Sequence, residues 1–231
     1  MSRRRRTSAD GNRSLHRTPG RSRARRLFYV AVEGEVTEPA YLDHLNREFG
    51  ERLGFQLMPL TAANRLKPCK AVAKVAAYAR DIAEDRAGDQ PWALFDRDQH
   101  VGIPEAFKEA AKAGVRVAFS NPSFDLWLLL HLSAFSGAQS GSSDVVHEKL
   151  RKYSAFVTFD DRDKRLDAKR IDLLRGQEVK AANRARRLAN DCATSDCSAQ
   201  FGHADHCQRI DRDPCTEVWE LLVELGVVAS A

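Results

Sequence analysis

The chain has 231 residues, 43% of them apolar and 30% charged, with a formal net charge of +5. That is enough for one sizeable domain or two small ones with a buried core. No apolar stretch is long enough to span a bilayer and the N-terminus has no signal-peptide h-region, so the reading is a soluble, cytoplasmic protein with no membrane partner. Five cysteines (Cys69, Cys192, Cys197, Cys207 and Cys215), an odd number, argue against a disulfide scaffold.

The basicity is uneven. Residues 1–26 hold ten Arg and one Asp, a net of +9, while the remaining 205 residues carry 27 basic and 31 acidic side chains, a net of −4. Residues 1–26 have almost nothing apolar to bury, which predicts a disordered tail. Such a tail is either a polycationic arm on nucleic acid phosphates or a solvated end without a role.

Leu27 to Val32 is an apolar run of β-formers that ends at Glu33-Gly34-Glu35. Its lack of polar alternation predicts a strand covered on both faces, as in a parallel sheet. Thr37 is a candidate cap for a helix running to about Phe49, with Glu38 and Pro39 suited to its first turn. Phe55–Leu60 reads as a second strand, and Lys67 to about Asp85 as a long helix with Val72, Val75, Ala76 and Ala79 on one face. Trp92-Ala93-Leu94-Phe95-Asp96-Arg97-Asp98 reads as a buried strand ending in two carboxylates. If the strand persists to Asp98, both acids point the same way, and like charges so close call for a cation or a shared proton. The alternative is a strand ending in a solvated Asp-x-Asp turn.

Pro104–Lys112 reads as a helix ended by Gly114, and Val115–Phe119 as a fourth strand. The alternation of strands and helices predicts an α/β domain with a mainly parallel sheet flanked by helices. Asn121 and Pro122 then suit the start of an apolar helix through His131, with Asp125 in its first turn. His131 reads as a satisfied core histidine. Residues 133–143 form a Gly/Ser-rich stretch expected to be a mobile loop. Beyond it the pattern is mostly helical (about 144–153, 167–174, 177–190 and 214–225), with Phe156–Phe159 as a possible edge strand. The mixed charges of 160–188 suggest a solvated face, or phosphate contacts through Lys180, Arg184, Arg186 and Arg187. Cys192, Cys197, His203, His206 and Cys207 are zinc-capable. They lack a Cys-x2-Cys knuckle, however, which argues against structural zinc.

Four of these stretches together resemble the motifs of RloB-like proteins: Val30–Tyr41 around Glu33-Gly34-Glu35-Val36-Thr37-Glu38-Pro39, then Phe95-Asp96-Arg97-Asp98, then Ser120–His131, then Asp213-Pro214-Cys215-Thr216. The resemblance covers about residues 26–226. It implies a Toprim-like core (27–132) with a mostly helical extension (133–231). It also implies a setting in bacterial restriction and abortive-infection loci. By that resemblance Glu33, Asp96 and Asp98 hold magnesium, for which manganese can substitute, and Glu38 is a second acidic position. Asp125 stands where the family usually has Glu, and Asp213 where it has Asn. Ligands of open parallel sheets bind beyond the strands' carboxyl ends, which is where these acids fall. The expected activity is a metal-dependent nuclease of an anti-phage system acting on DNA or RNA, with Glu33, Glu38, Asp96, Asp98 and Asp125 in the catalytic site. The rival expectation is a regulatory or assembly subunit that binds a partner ATPase. The chain itself has no Gly-x-x-x-x-Gly-Lys-Ser/Thr loop.

Overall fold

The computed structural model describes residues 25–63, 66–82, 88–97, 100, 102–160, 162–190 and 207–230. Five strands form one sheet in the order β2-β1-β3-β4-β5. They are β1 (Arg26–Val32), β2 (Phe55–Leu60), β3 (Gln90–Asp96), β4 (Arg116–Asn121) and β5 (Cys215–Thr216). The first four run parallel, and the two-residue β5 pairs antiparallel with the end of β4. The α/β architecture with a mainly parallel sheet is as the sequence predicts.

The period of two in β1 divides the core. Phe28, Val30 and Val32 face one apolar layer; Tyr29 and Ala31 face the other. The second layer is built by α3 (Pro68–Ile82) and α4 (Ile103–Ala113). The first is larger. It takes in α1 (Thr37–Leu45) and α5 (Phe124–Leu132), and then α6 (Asp144–Leu150), α7 (Ala168–Leu174), α8 (Glu178–Asn190) and α9 (Val218–Leu225). The helical segments after residue 133 therefore share a core with the sheet. Because both faces are covered, β1 and β3 can be apolar almost throughout. Gly114, at a φ of +66°, ends α4 in the left-handed conformation that glycine adopts without strain.

α5 carries no polar stripe, and every residue from Phe124 to His131 is buried. This agrees with its all-round apolar sequence. His131 is satisfied internally: its Nδ1 lies 2.9 Å from the Trp127 carbonyl and its Nε2 3.1 Å from the Tyr41 hydroxyl. Burial lowers its pKa to about 4, against the raising effect of the Trp127 carbonyl. The ring is thus neutral near pH 7, donating from Nδ1 and accepting at Nε2.

Several local expectations are corrected. The first helix is not one regular piece. After Leu45 it widens into a π-helical turn (Asn46–Gly50) before the short α2 (Glu51–Leu53). There the Asn46 amide donates to the Leu57 carbonyl and accepts from the Leu57 N–H at the open edge of β2. Thr37 does not cap α1; it is the first helical residue, and its hydroxyl donates to the Lys164 carbonyl at 2.8 Å. Asn121 does not cap α5 either. It ends β4 and donates to the Arg212 carbonyl, and Ser123 takes the flanking position. Phe156–Phe159 is no edge strand: Ser154–Phe156 is a 3-10 turn that drives Phe156 and Phe159 into the core. The final helix begins at Val218, because Cys215–Thr216 are taken by the sheet. The 133–143 stretch is tethered, with the Gln139 and Ser140 N–H groups donating to the Asp213 carboxylate. Arg184 and Arg186 spend guanidinium donors on the carbonyls of Leu130 and Ala229, so these two are structural ties. Residues 1–24, Cys192, Cys197, His203 and His206 lie outside the described residues, so the expectations of a disordered tail and of a zinc-capable segment are not addressed. No described helix is long and apolar enough to cross a membrane.

Leu128, at the middle of α5 and fully buried, measures how much this helix matters. Leu128→Ala should lower stability by about 2–5 kcal/mol, read as a fall in the urea midpoint at unchanged m-value.

Candidate acidic site

The strand order reverses between β1 and β3. After β1 the chain moves to one side to form β2; after β3 it moves to the other to form β4. The crevice at the carboxyl ends of the two central strands is where open α/β sheets place ligands. Glu33 directly follows β1 and Asp96 ends β3, in a register that aligns Val32 with Leu94.

Glu33 is 5% exposed. One carboxylate oxygen lies 2.7 Å from His100 Nε2, and the other accepts the Asp96 N–H at 3.4 Å. Glu38, in the first turn of α1, turns back on the strand end and accepts the Gly34 N–H at 3.0 Å. Gly34 makes this possible, because a Cβ there would collide with the Glu38 carboxyl. Asp125, in the first turn of α5, is 2% exposed. Its Oδ2 lies 2.7 Å from His147 Nε2 and 3.0 Å from Lys164 Nζ. Four carboxylates from three separate parts of the chain thus gather at one edge of the sheet. Asp98 lies outside the described residues.

A family model described as RloB-like protein matches residues 28–225 and spans all four of these acids. The chain belongs to the RloB-like protein family. No curated protein and no solved structure gives a significant match.

In this RloB-like protein the acids feel one another. Burial raises the Asp96 pKa well above the usual carboxylate range, and the charges of Glu33, Glu38 and Asp125 push it further, against the stabilising Phe124 N–H at the start of α5. Glu38 is likewise raised, by burial first. Its own N–H and that of Gly34 oppose the rise, while the Asp125 and Glu33 charges add to it. Asp125 goes the other way. Burial would raise it, but the His147 hydrogen bond and the Lys164 charge outweigh that and hold it low. The edge therefore has an ionised corner at Asp125 and a crowded, proton-retaining corner at Asp96 and Glu38.

The donor chemistry, all carboxylate, suits a hard divalent cation. Among the described residues, however, no group of three His, Cys, Asp or Glu side chains is arranged to hold a metal ion. Glu33 is engaged by His100, Glu38 by Gly34, and Asp125 by His147 and Lys164. Those three partners, His100, His147 and Lys164, are what sequence reasoning missed. His100 follows the Asp-x-Asp stretch closely enough to have been suspected. His147 and Lys164 sit in helical and charged segments whose spacing gives no sign of the sheet edge they reach.

The two corners respond oppositely to acid. Asp96 holds its proton more tightly folded than unfolded, so its contribution is present below the ordinary carboxylate range and is lost as pH rises through its raised folded value. Asp125 contributes above the ordinary range, and that contribution is lost as pH falls through its lowered value. In EDTA, mild acidification from pH 7 should raise the thermal midpoint of the wild type before stronger acid lowers it. Asp96→Asn should be more stable than wild type at pH 7, by on the order of 1–3 kcal/mol, and should show a smaller initial rise, the part that Glu38 supplies.

Proposed function

We propose that this RloB-like protein is a metal-dependent phosphodiester hydrolase, a nuclease of an anti-phage or abortive-infection system, working at a Toprim-like acidic cluster. One observation carries the reading: Glu33, Glu38, Asp96 and Asp125 converge at the switch point of a parallel sheet, where burial first and then its acidic neighbours raise the Asp96 pKa. Such crowding favours a hard cation, which relieves the repulsion without a proton. Magnesium or manganese, held by Glu33, Asp96 and Asp98, would supply Lewis-acid polarisation of the scissile phosphate and a more acidic attacking water.

The chain's own groups do the rest. Glu38, fixed by the Gly34 N–H, orients water at the edge. Asp125, fixed by His147 and Lys164, supports the site from α5. His100 sets the rotamer of Glu33. The partner is nucleic acid, DNA or RNA, with the Arg-rich segment before β1 as a further phosphate contact. The rival reading is a non-catalytic subunit that binds an ATPase.

Plasmid DNA and RNA incubated with the protein in magnesium or manganese distinguish the two. The hydrolase reading expects cleavage that falls at least about 100-fold in Glu33→Gln and Asp96→Asn. It also expects magnesium to raise the thermal midpoint of the wild type but not of Asp96→Asn. Cleavage that survives both substitutions rejects the site. No cleavage and no magnesium shift, together with co-purification of an ATPase, supports the rival.

A further inference from the structure

Lys164 reaches the acidic edge from a distant part of the chain, and the way it is held suggests a purpose. Its ammonium lies 3.0 Å from Asp125 Oδ2, and its own carbonyl accepts the Thr37 hydroxyl at 2.8 Å. The residue is thus pinned to the first turn of α5 by its side chain and to the first turn of α1 by its backbone. These are the two helices that bring Asp125 and Glu38 to the site.

The segment that delivers it is built for the task. Arg170, 3% exposed, donates to the carbonyls of Asp163 and Arg165, on either side of Lys164. The same guanidinium donates to the Ala155 carbonyl, the Thr158 hydroxyl and the Asp163 carboxylate. It also stacks near the rings of Phe156 and Phe159. A buried arginine that ties the residues on either side of Lys164 to the 155–158 segment makes that turn a rigid bracket.

Satisfying Asp125 does not account for this bracket. Asp125 already has a buried partner in His147, at 2.7 Å on the same oxygen. Of the three side chains, Asp125 and His147 are 3% and 8% exposed, whereas Lys164 is 26% exposed. Lys164 is the side chain of the trio that meets solvent. The exposed Arg165 follows it directly. A polyanion nearing a rim of carboxylates meets repulsion unless a cation stands among them, and an ammonium is a compact donor to phosphate oxygens.

We propose that Lys164 is the phosphate-contacting residue of the site: Asp125 and His147 aim it, the Arg170 bracket carries it, and it takes a backbone phosphate of the nucleic acid beside the acidic cluster. This rests on the nucleic-acid reading above and adds to it a residue from the helical extension.

The test is binding of fluorescein-labelled oligonucleotides (single- and double-stranded, DNA and RNA) to the full chain in EDTA, by anisotropy across about 50–300 mM potassium chloride. The tightest ligand is then carried forward. Lys164→Ala should bind roughly tenfold more weakly at low salt and flatten the plot of log affinity against log salt by about one unit. Lys164→Arg, which keeps the charge, should restore the slope, and Lys164→Gln, which keeps a donor for Asp125 without the charge, should flatten it as alanine does and serves if the alanine variant fails to fold. Lys112→Ala, exposed at the far end of α4, should match wild type. A Lys164→Ala slope equal to wild type, with only the thermal midpoint lowered, would reduce the residue to an ion pair and overturn the proposal. So would the absence of binding to all four ligands. Wild type that binds but never cleaves defeats the hydrolase reading alone, and the slope still decides Lys164.

Discussion

Mutual repulsion among carboxylates at the carboxyl end of β1 and β3 is the constraint around which this molecule is arranged. Two unit charges about 5 Å apart in a protein-like dielectric near 20 interact by about 3 kcal/mol, more than an exposed ion pair returns. Glu33, Asp96, Glu38 and Asp125 come together only because each has a partner that offsets part of this cost. Glu33 has His100, Glu38 has the Gly34 N–H, Asp125 has His147 and Lys164, and Asp96 has the Phe124 N–H that opens α5. Asp96 is the least compensated of the four, and burial together with its acidic neighbours holds its pKa well above the usual carboxylate range.

The side-chain partners come from elsewhere in the sequence, so the site depends on the whole core. α5 is the connecting piece. Its N-terminus brings Asp125 to the edge, its middle fills the larger apolar layer, and its Leu130 carbonyl takes a hydrogen bond from Arg184 of α8. Tyr41 of α1 donates to His131 of the same helix, and Trp127 packs edge-on against both rings. Displacing α5 would move Asp125 away from His147 and Lys164 together. The extension beyond residue 133 is thus a support for the edge: it contributes His147 on α6, the bracket around Arg170, and the short β5 that completes the sheet.

The β4 margin of the sheet shows a different use of charge. Between β4 and α9, the Glu217 carboxylate accepts the Phe119 N–H while Arg209 donates to both Glu217 and the Val117 carbonyl. These side chains occupy backbone groups that the two-residue β5 leaves unpaired. Asn46 does the same for Leu57 on the β2 edge. Both margins of the sheet are therefore closed by side chains, which guards against edge-to-edge pairing.

Much of this was legible in the chain itself. Apolar runs without alternation marked β1 and β3 as doubly covered strands, helical periodicity with Gly and Pro punctuation marked α3 and α4, and Asn121-Pro122 before an all-round apolar run marked α5. Glu33, Glu38, Asp96 and Asp125 stood out because each follows or opens one of those elements. What escaped was whatever depends on partners distant in sequence. Thr37 and Asn121 have the side chains of helix caps, yet tertiary contacts with Lys164 and Arg212 claimed them. Phe156 and Phe159 look like strand residues, but the core took them from a 3-10 turn. Local pattern reports the face a residue presents and the element it belongs to. Which histidine or lysine meets which carboxylate is a matter of long-range packing, so only the folded chain could bring His100, His147 and Lys164 to the acidic edge.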